Sequence, residues 1–201
     1  MSTDHHAGLE EVRAVPSAIS HIDGRILSYR GIPIEELAEY SHFEEVVYLL
    51  WFGRLPGGKE LDRLKVQISE SYELPREIRE YINHIPRQVH PMAVLRTLVS
   101  SLALYDHEAD ELNTDANHRK AISLLARMPV FLTAFERHRK AKSPVTPKAE
   151  YSFAKNFLYM LWSEEPDEIS IHVLDITLIL YAEHELNAST FAARVTAAAL
   201  A

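Results

Sequence analysis

Six glycines and ten prolines are all that interrupt a chain of 201 residues, so long stretches are free to run as helix. One segment near the start reads otherwise. Residues 18–22 and 25–29 are rich in Ile, Leu, Ser and Tyr, and they flank Asp23-Gly24. That dipeptide supplies the positive φ angles of a tight two-residue turn. A short β-hairpin over about 18–29 is expected. A lone hairpin is marginal in water, so it must pack on the helical body.

After Gly31 the spacing of apolar residues becomes helical. A short helix is expected at residues 34–38. Ser41 followed three positions later by Glu44 reads as a capping box for a helix ending at Gly53. Leu55-Pro56-Gly57-Gly58 is a loop. Leu61, Leu64, Val66 and Ile68 give a third helix one apolar stripe, and Pro75 opens a fourth. His90-Pro91 introduces residues 92–105, which carry a single charge and are apolar on most faces, as in a helix buried in a large core or against a partner. Residues 106–118 form an acidic connector. A long helix follows over 119–142, with Pro129 expected to kink or break it. Two more helices are expected at 151–162 and 170–181. The chain closes on an alanine-rich helix without a C-cap glycine, so it reads as cut inside a helix. Residues 1–14 are expected to be a flexible polar tail, and no linker divides the remainder.

Composition narrows the function. With 21 Lys+Arg against 29 Asp+Glu, the formal charge is −8. This disfavours a nucleic-acid or anionic-membrane surface. The absence of cysteine removes disulfides, thiolate nucleophiles and sulfur-ligated metals. No apolar run reaches the roughly 18–20 residues that span a bilayer, and the first residues do not read as a secretory signal. A cytoplasmic location is the expectation.

Most motifs fail on inspection. His184-Glu185 begins like a zinc-binding helix motif, but position 188 is Ala where the second His should stand. The acidic connector lacks the spacing and glycine of a calcium loop. Gly57-Gly58-Lys59 lacks the spacing and the Ser/Thr of a phosphate-binding loop, so a tight turn between helices is expected. No Gly-x-Ser-x-Gly elbow occurs, and His5-His6 reads as solvated tail. No metal site is expected. His90 is expected to hydrogen-bond the first turn of the helix it precedes. His184 stands apart. It lies between an apolar helix and a second helix that Asn187 or Ser189 can cap, facing free backbone N–H groups and the positive end of a helix dipole. An imidazole there can donate to a carboxylate or carbonyl oxygen.

Four passages then fall in one order: Tyr29-Arg30-Gly31-Ile32-Pro33-Ile34, Phe43-Glu44-Glu45-Val46-Val47-Tyr48-Leu49-Leu50-Trp51-Phe52-Gly53-Arg54-Leu55-Pro56, His90-Pro91-Met92-Ala93-Val94-Leu95-Arg96-Thr97, and Tyr181-Ala182-Glu183-His184-Glu185-Leu186-Asn187-Ala188-Ser189-Thr190-Phe191. Together they resemble the citrate synthases, especially the shorter bacterial and archaeal citrate and 2-methylcitrate synthases, from about residue 15 to 201. The resemblance implies an all-α fold, the N-terminal part of a large helical domain, with the small domain beyond residue 201. It implies condensation of acetyl-CoA, or propionyl-CoA, with oxaloacetate, and no cofactor apart from the acyl-CoA substrate. It assigns oxaloacetate binding to His184, with Asn187 as a pocket-shaping neighbour, and a homodimer through residues 92–105 and 119–140.

The resemblance also implies two catalytic histidines and a catalytic aspartate. Neither Pro-Leu-His-Gly-Gly nor Gly-Phe-Gly-His occurs in residues 1–201, so no catalytic residue is expected within this chain. Alone, it is expected to turn over negligibly. A non-catalytic helical dimerisation module is the alternative of a different class.

Overall fold

The computed structural model describes residues 17–24, 26–184 and 186–199. The expected tail at 1–14 lies outside them. Among the described residues, a three-stranded antiparallel sheet leads into nine α-helices. The strands are β1 (Ser20–Asp23), β2 (Ile26–Tyr29) and β3 (Ile32–Pro33). Asp23 pairs with Ile26, so the two-residue connection is Gly24 plus position 25, one residue later than the dipeptide suggested. Gly24 takes a φ of +60°, as a tight hairpin requires. The third strand was not expected.

Tyr29 ends β2, pairs with Ser20 on one side and Ile32 on the other, and is 0% exposed. The next residue, Arg30, sends one guanidinium nitrogen to the Leu50 carbonyl at 2.8 Å and another to the Ala18 carbonyl at 3.2 Å. Leu50 lies in the last turn of the second helix, where a cation complements the exposed carbonyls. The sheet is thereby fastened to the helical body, as a marginal hairpin requires.

The helices are α1 (Ile34–Tyr40), α2 (Phe43–Phe52), α3 (Gly58–Glu70), α4 (Arg76–His84), α5 (Pro91–Ser101), α6 (Thr114–Arg139), α7 (Phe153–Trp162), α8 (Glu168–Leu180) and α9 (Ala188–Ala198). Gly53 closes α2 in the left-handed conformation, its N–H donating to the Leu49 carbonyl at 2.8 Å. Gly57-Gly58 makes the tight entry to α3. His90 caps α5, its Nδ1 accepting from the Met92 amide at 3.2 Å. The longest helix, α6, buries Ala126, Phe131, Ala134 and Phe135 in the core.

Several boundaries differ from the sequence reading, each for a physical reason. Asn113 caps α6 by accepting from the Ala116 amide at 2.9 Å, so the helix starts at Thr114 and the acidic connector is shorter than 106–118. Pro129 lies inside α6 without interrupting it. A proline removes its own N–H from the ladder and crowds the carbonyl four residues back, and burial on both sides of that position, at Ala126 and Phe131, carries α6 through it. Residues 92–105 divide into α5 and a 3-10 turn at Leu102–Tyr105. Val94, Leu98 and Leu102 are buried, whereas Met92 and Leu104 are 62% and 79% exposed.

The capping box assigned to Ser41 and Glu44 is shifted by one residue. His42 is the N-cap of α2, and its amide donates to Glu45 Oε2 at 2.8 Å. Glu44 is thereby released for a distant task. It is 2% exposed, and its Oε1 accepts from the Phe153 amide at 2.9 Å, at the first residue of α7. Asp175, buried on α8, does the same for α2: Oδ1 accepts from the Phe43 amide at 3.1 Å and Oδ2 from His42 Nδ1 at 3.0 Å. Two buried carboxylates thus sit on two helix N-termini, where unsatisfied amides and the dipole favour negative charge.

Replacing Glu44 by alanine leaves a buried α7 amide without an acceptor and should cost about 2–3 kcal/mol, against under about 1 kcal/mol for Glu45→Ala at the half-exposed local cap. Urea denaturation of both variants reads this directly. An equal or larger loss for Glu45→Ala would contradict the assignment.

Candidate functional site

The site is built on the end of α8. Asp167 starts that helix, its Oδ1 accepting from the Ser170 amide at 2.9 Å and its Oδ2 from the Ser170 hydroxyl at 2.7 Å. Asp175 then fixes the middle of α8 to α2, and Ile179 is fully buried near the end. The helix stops at Leu180. The amides of Tyr181 and Ala182 fold back onto the carbonyls of Thr177 and Ile179, at 3.1 and 3.2 Å. A short turn follows before α9 begins.

Asn187 is the N-cap of α9, and its Oδ1 accepts from the Thr190 amide at 3.0 Å. Of the two caps open to the sequence, Asn187 takes the role, and Ser189 lies inside the helix. Asn187 therefore shapes the site by starting α9. The capped Thr190 amide is satisfied, while the amides of Ala188 and Ser189 belong to the first helical turn, which has no intrahelical acceptor. Asp and Glu are absent from that first turn.

His184 lies in the turn, three residues before this cap. It is exposed, and no described residue hydrogen-bonds its ring. An imidazole in this position has free nitrogens and a neighbouring helix N-terminus, a combination suited to a small anion. His90, by contrast, spends its Nδ1 on capping α5. The second position of the failed zinc motif, Ala188, is the first residue of α9. Among the described residues, no group of three or more His, Asp or Glu side chains is placed to hold a metal ion.

One residue of this site was missed by sequence reasoning. The Tyr29 hydroxyl lies 3.2 Å from the Leu180 carbonyl and 3.1 Å from the Glu183 carbonyl. These two acceptors bracket the turn, and Glu183 directly precedes His184. Burial raises the Tyr29 phenol above its usual 10.0, so it remains protonated, and a donor, throughout the neutral range. The two carbonyls are 151 and 154 residues away in sequence, beyond any local periodicity. The available hint was that Tyr29 opens the first of the four passages quoted above.

Comparison with known proteins adds the following. The family model described as "Citrate synthase, C-terminal domain" matches residues 8–201. "Citrate synthase 2" of Bacillus subtilis is 49% identical over 96% of this chain and 52% of its own length. "Citrate/2-methylcitrate synthase" of the same organism is 38% identical over 94% of this chain and 52% of its own. Among solved structures, the citrate synthase of Pyrobaculum aerophilum superimposes with a TM-score of 0.89 at 36% identity, over 96% of this chain and 51% of that one. The chain spans about half the length of the curated relatives it matches. No helix among the described residues is long and apolar enough to cross a membrane.

Proposed function

The chain belongs to the citrate synthase family, and from that premise we propose that it serves condensation of an acyl-CoA with oxaloacetate, His184 being the residue that binds the keto-diacid. The observation that carries this reading is the exposed imidazole, with no side-chain partner among the described residues, three residues before Asn187, the N-cap of α9. Oxaloacetate has two carboxylates and a ketone, all of them acceptors. A ring N–H can donate to one of these oxygens while the first-turn amides of α9 favour a second. The chain's own contribution is thus binding and orientation of the electrophile, with no resident cofactor.

Carbon–carbon bond formation needs more. A thioester α-proton is very weakly acidic, so a base and a polarising donor must act together on the two substrates. Among the described residues, no second histidine or carboxylate stands in the 181–184 turn beside His184, except Glu183 itself. The base and the polarising group belong to the part of the relatives' length that this chain does not span, so residues 1–201 alone turn over negligibly.

Acetyl-CoA is the acyl donor of the main reading. The likeness to a citrate/2-methylcitrate synthase keeps propionyl-CoA as a second reading, since one methylene is worth only about 1–3 kcal/mol of discrimination.

The same reading supplies a partner, a second copy of this chain. Met92, Leu104, Tyr105, Leu124, Met128 and Leu132 are all more than a third exposed along α5, the 3-10 turn and α6. Exposed apolar surface of this extent marks an interaction face, and it coincides with residues 92–105 and 119–140.

Two measurements test the proposal. In titration calorimetry, His184→Ala should weaken oxaloacetate binding by roughly tenfold or more, the worth of a charge-assisted hydrogen bond. Unchanged affinity would refute the assignment. In sedimentation velocity, the chain should run as a dimer or larger, and the double substitution Leu124→Glu, Met128→Glu should shift it towards monomer. A wild-type monomer at micromolar concentration would contradict the interface.

A further inference from the structure

The turn that carries His184 is tied to the sheet. The amides of Tyr181 and Ala182 fold back onto the carbonyls of Thr177 and Ile179. The carbonyls of Leu180 and Glu183, at the two ends of the turn, both face the single hydroxyl of Tyr29, at 3.2 and 3.1 Å. One proton is shared between the two ends of the turn, so their separation is fixed by one donor. That donor is itself immobile. Tyr29 is fully buried, and its backbone is paired on both sides, with Ser20 and with Ile32. Its neighbour Arg30 is anchored to the end of α2 by the 2.8 Å bond to the Leu50 carbonyl. The sheet thus presents a donor fixed by strand pairing to the turn of the candidate site.

We propose that Tyr29 is a positioning residue for His184, its hydroxyl holding the 180–183 turn that directly precedes the imidazole. The proposal rests on the substrate reading of His184. Tyr29 is buried beneath the turn and acts through it, touching no substrate. Without the hydroxyl, the turn loses the donor that ties its two ends to the sheet, and it populates other arrangements. Apparent affinity then falls by the fraction of molecules that remain competent. If that fraction drops to about one in ten, binding weakens about tenfold, whereas any step after saturation is unchanged.

The test is Tyr29→Phe, which keeps the ring and removes only the donor, in the full 201-residue chain. Amide hydrogen exchange should accelerate about tenfold or more for Tyr181 and Ala182, whose amides are bonded to the carbonyls of Thr177 and Ile179, while the amides of α2 and α6 keep their protection. Oxaloacetate affinity by calorimetry should fall about tenfold, and Tyr29→Phe should add nothing further in a His184→Ala background, as two groups acting through one contact require. Unchanged exchange at Tyr181 and Ala182, or a uniform rise across α2 and α6, would overturn the positioning role. If exchange changes locally but His184→Ala leaves affinity unaltered, or the wild-type chain binds no oxaloacetate, the substrate reading fails and the positioning of the turn stands. Should Tyr29→Phe not fold, the wild-type protein decides: a slowly exchanging Tyr29 hydroxyl proton in the NMR spectrum supports the tie, and a rapidly exchanging one removes it.

Discussion

A single phenol joins the two ends of this molecule's sequence. The Tyr29 hydroxyl, offered from a strand paired on both edges, meets the carbonyls where α8 runs out. Much of the fold serves to bring those partners within 3.2 Å. The sheet must be fastened, which Arg30 does at the C-terminal end of α2. The last turns of α8 must be fixed, which Asp175 does from the N-terminal end of the same α2. One short helix therefore carries the strand and the helix that between them define the turn. Its two ends have opposite partial charge, and each receives a side chain of the opposite sign to its own.

The same electrostatic logic extends outward. Glu44, in the first turn of α2, reaches the N-terminus of α7, so α8, α2 and α7 are linked in series, each carboxylate on the next helix's free amides. Neighbouring rings reinforce the last link, Phe43 and Phe153 having centroids 5.0 Å apart. Burying a carboxylate is costly unless it is hydrogen-bonded, which makes such links sensitive to misplacement. They favour one arrangement of helices over others that would bury a similar apolar area. The consequence for the site is a rigid floor under a short, exposed turn. At the α8–α9 junction, His184 is exposed and carries an imidazole that can donate to an anion.

How much of this could be read in advance follows from the range of the interactions. Gly53, His90 and Asn187 were legible because a cap acts within four residues, and the structure places each where such chemistry requires it. The hairpin was legible from Asp23-Gly24 and missed by only one residue of register. Glu44 and Ser41 matched a local pattern that lost to a tertiary one: a carboxylate three positions after a serine found a more demanding partner on α7, and Glu45 took the local role. Pro129 does not break α6, since packing on both sides of it outweighs the hydrogen bond it removes. Asp175 and Tyr29 carried no local signal at all. Their partners are 132 or more residues away, and only the folded chain brings them together. The apolar character of residues 92–105 was plain, but composition could not separate the buried Val94 and Leu98 from the exposed Met92 and Leu104.

At the centre of the account is an imidazole held at a helix junction to receive a small dicarboxylate. The most direct measurement follows the two ring nitrogens of His184 by 15N NMR as oxaloacetate is added. The account predicts saturable shifts confined to His184 and the first amides of α9, with His90 and His42 unmoved because their Nδ1 atoms are already engaged. Shifts that spread equally over all exposed histidines, or that spare His184, would contradict it.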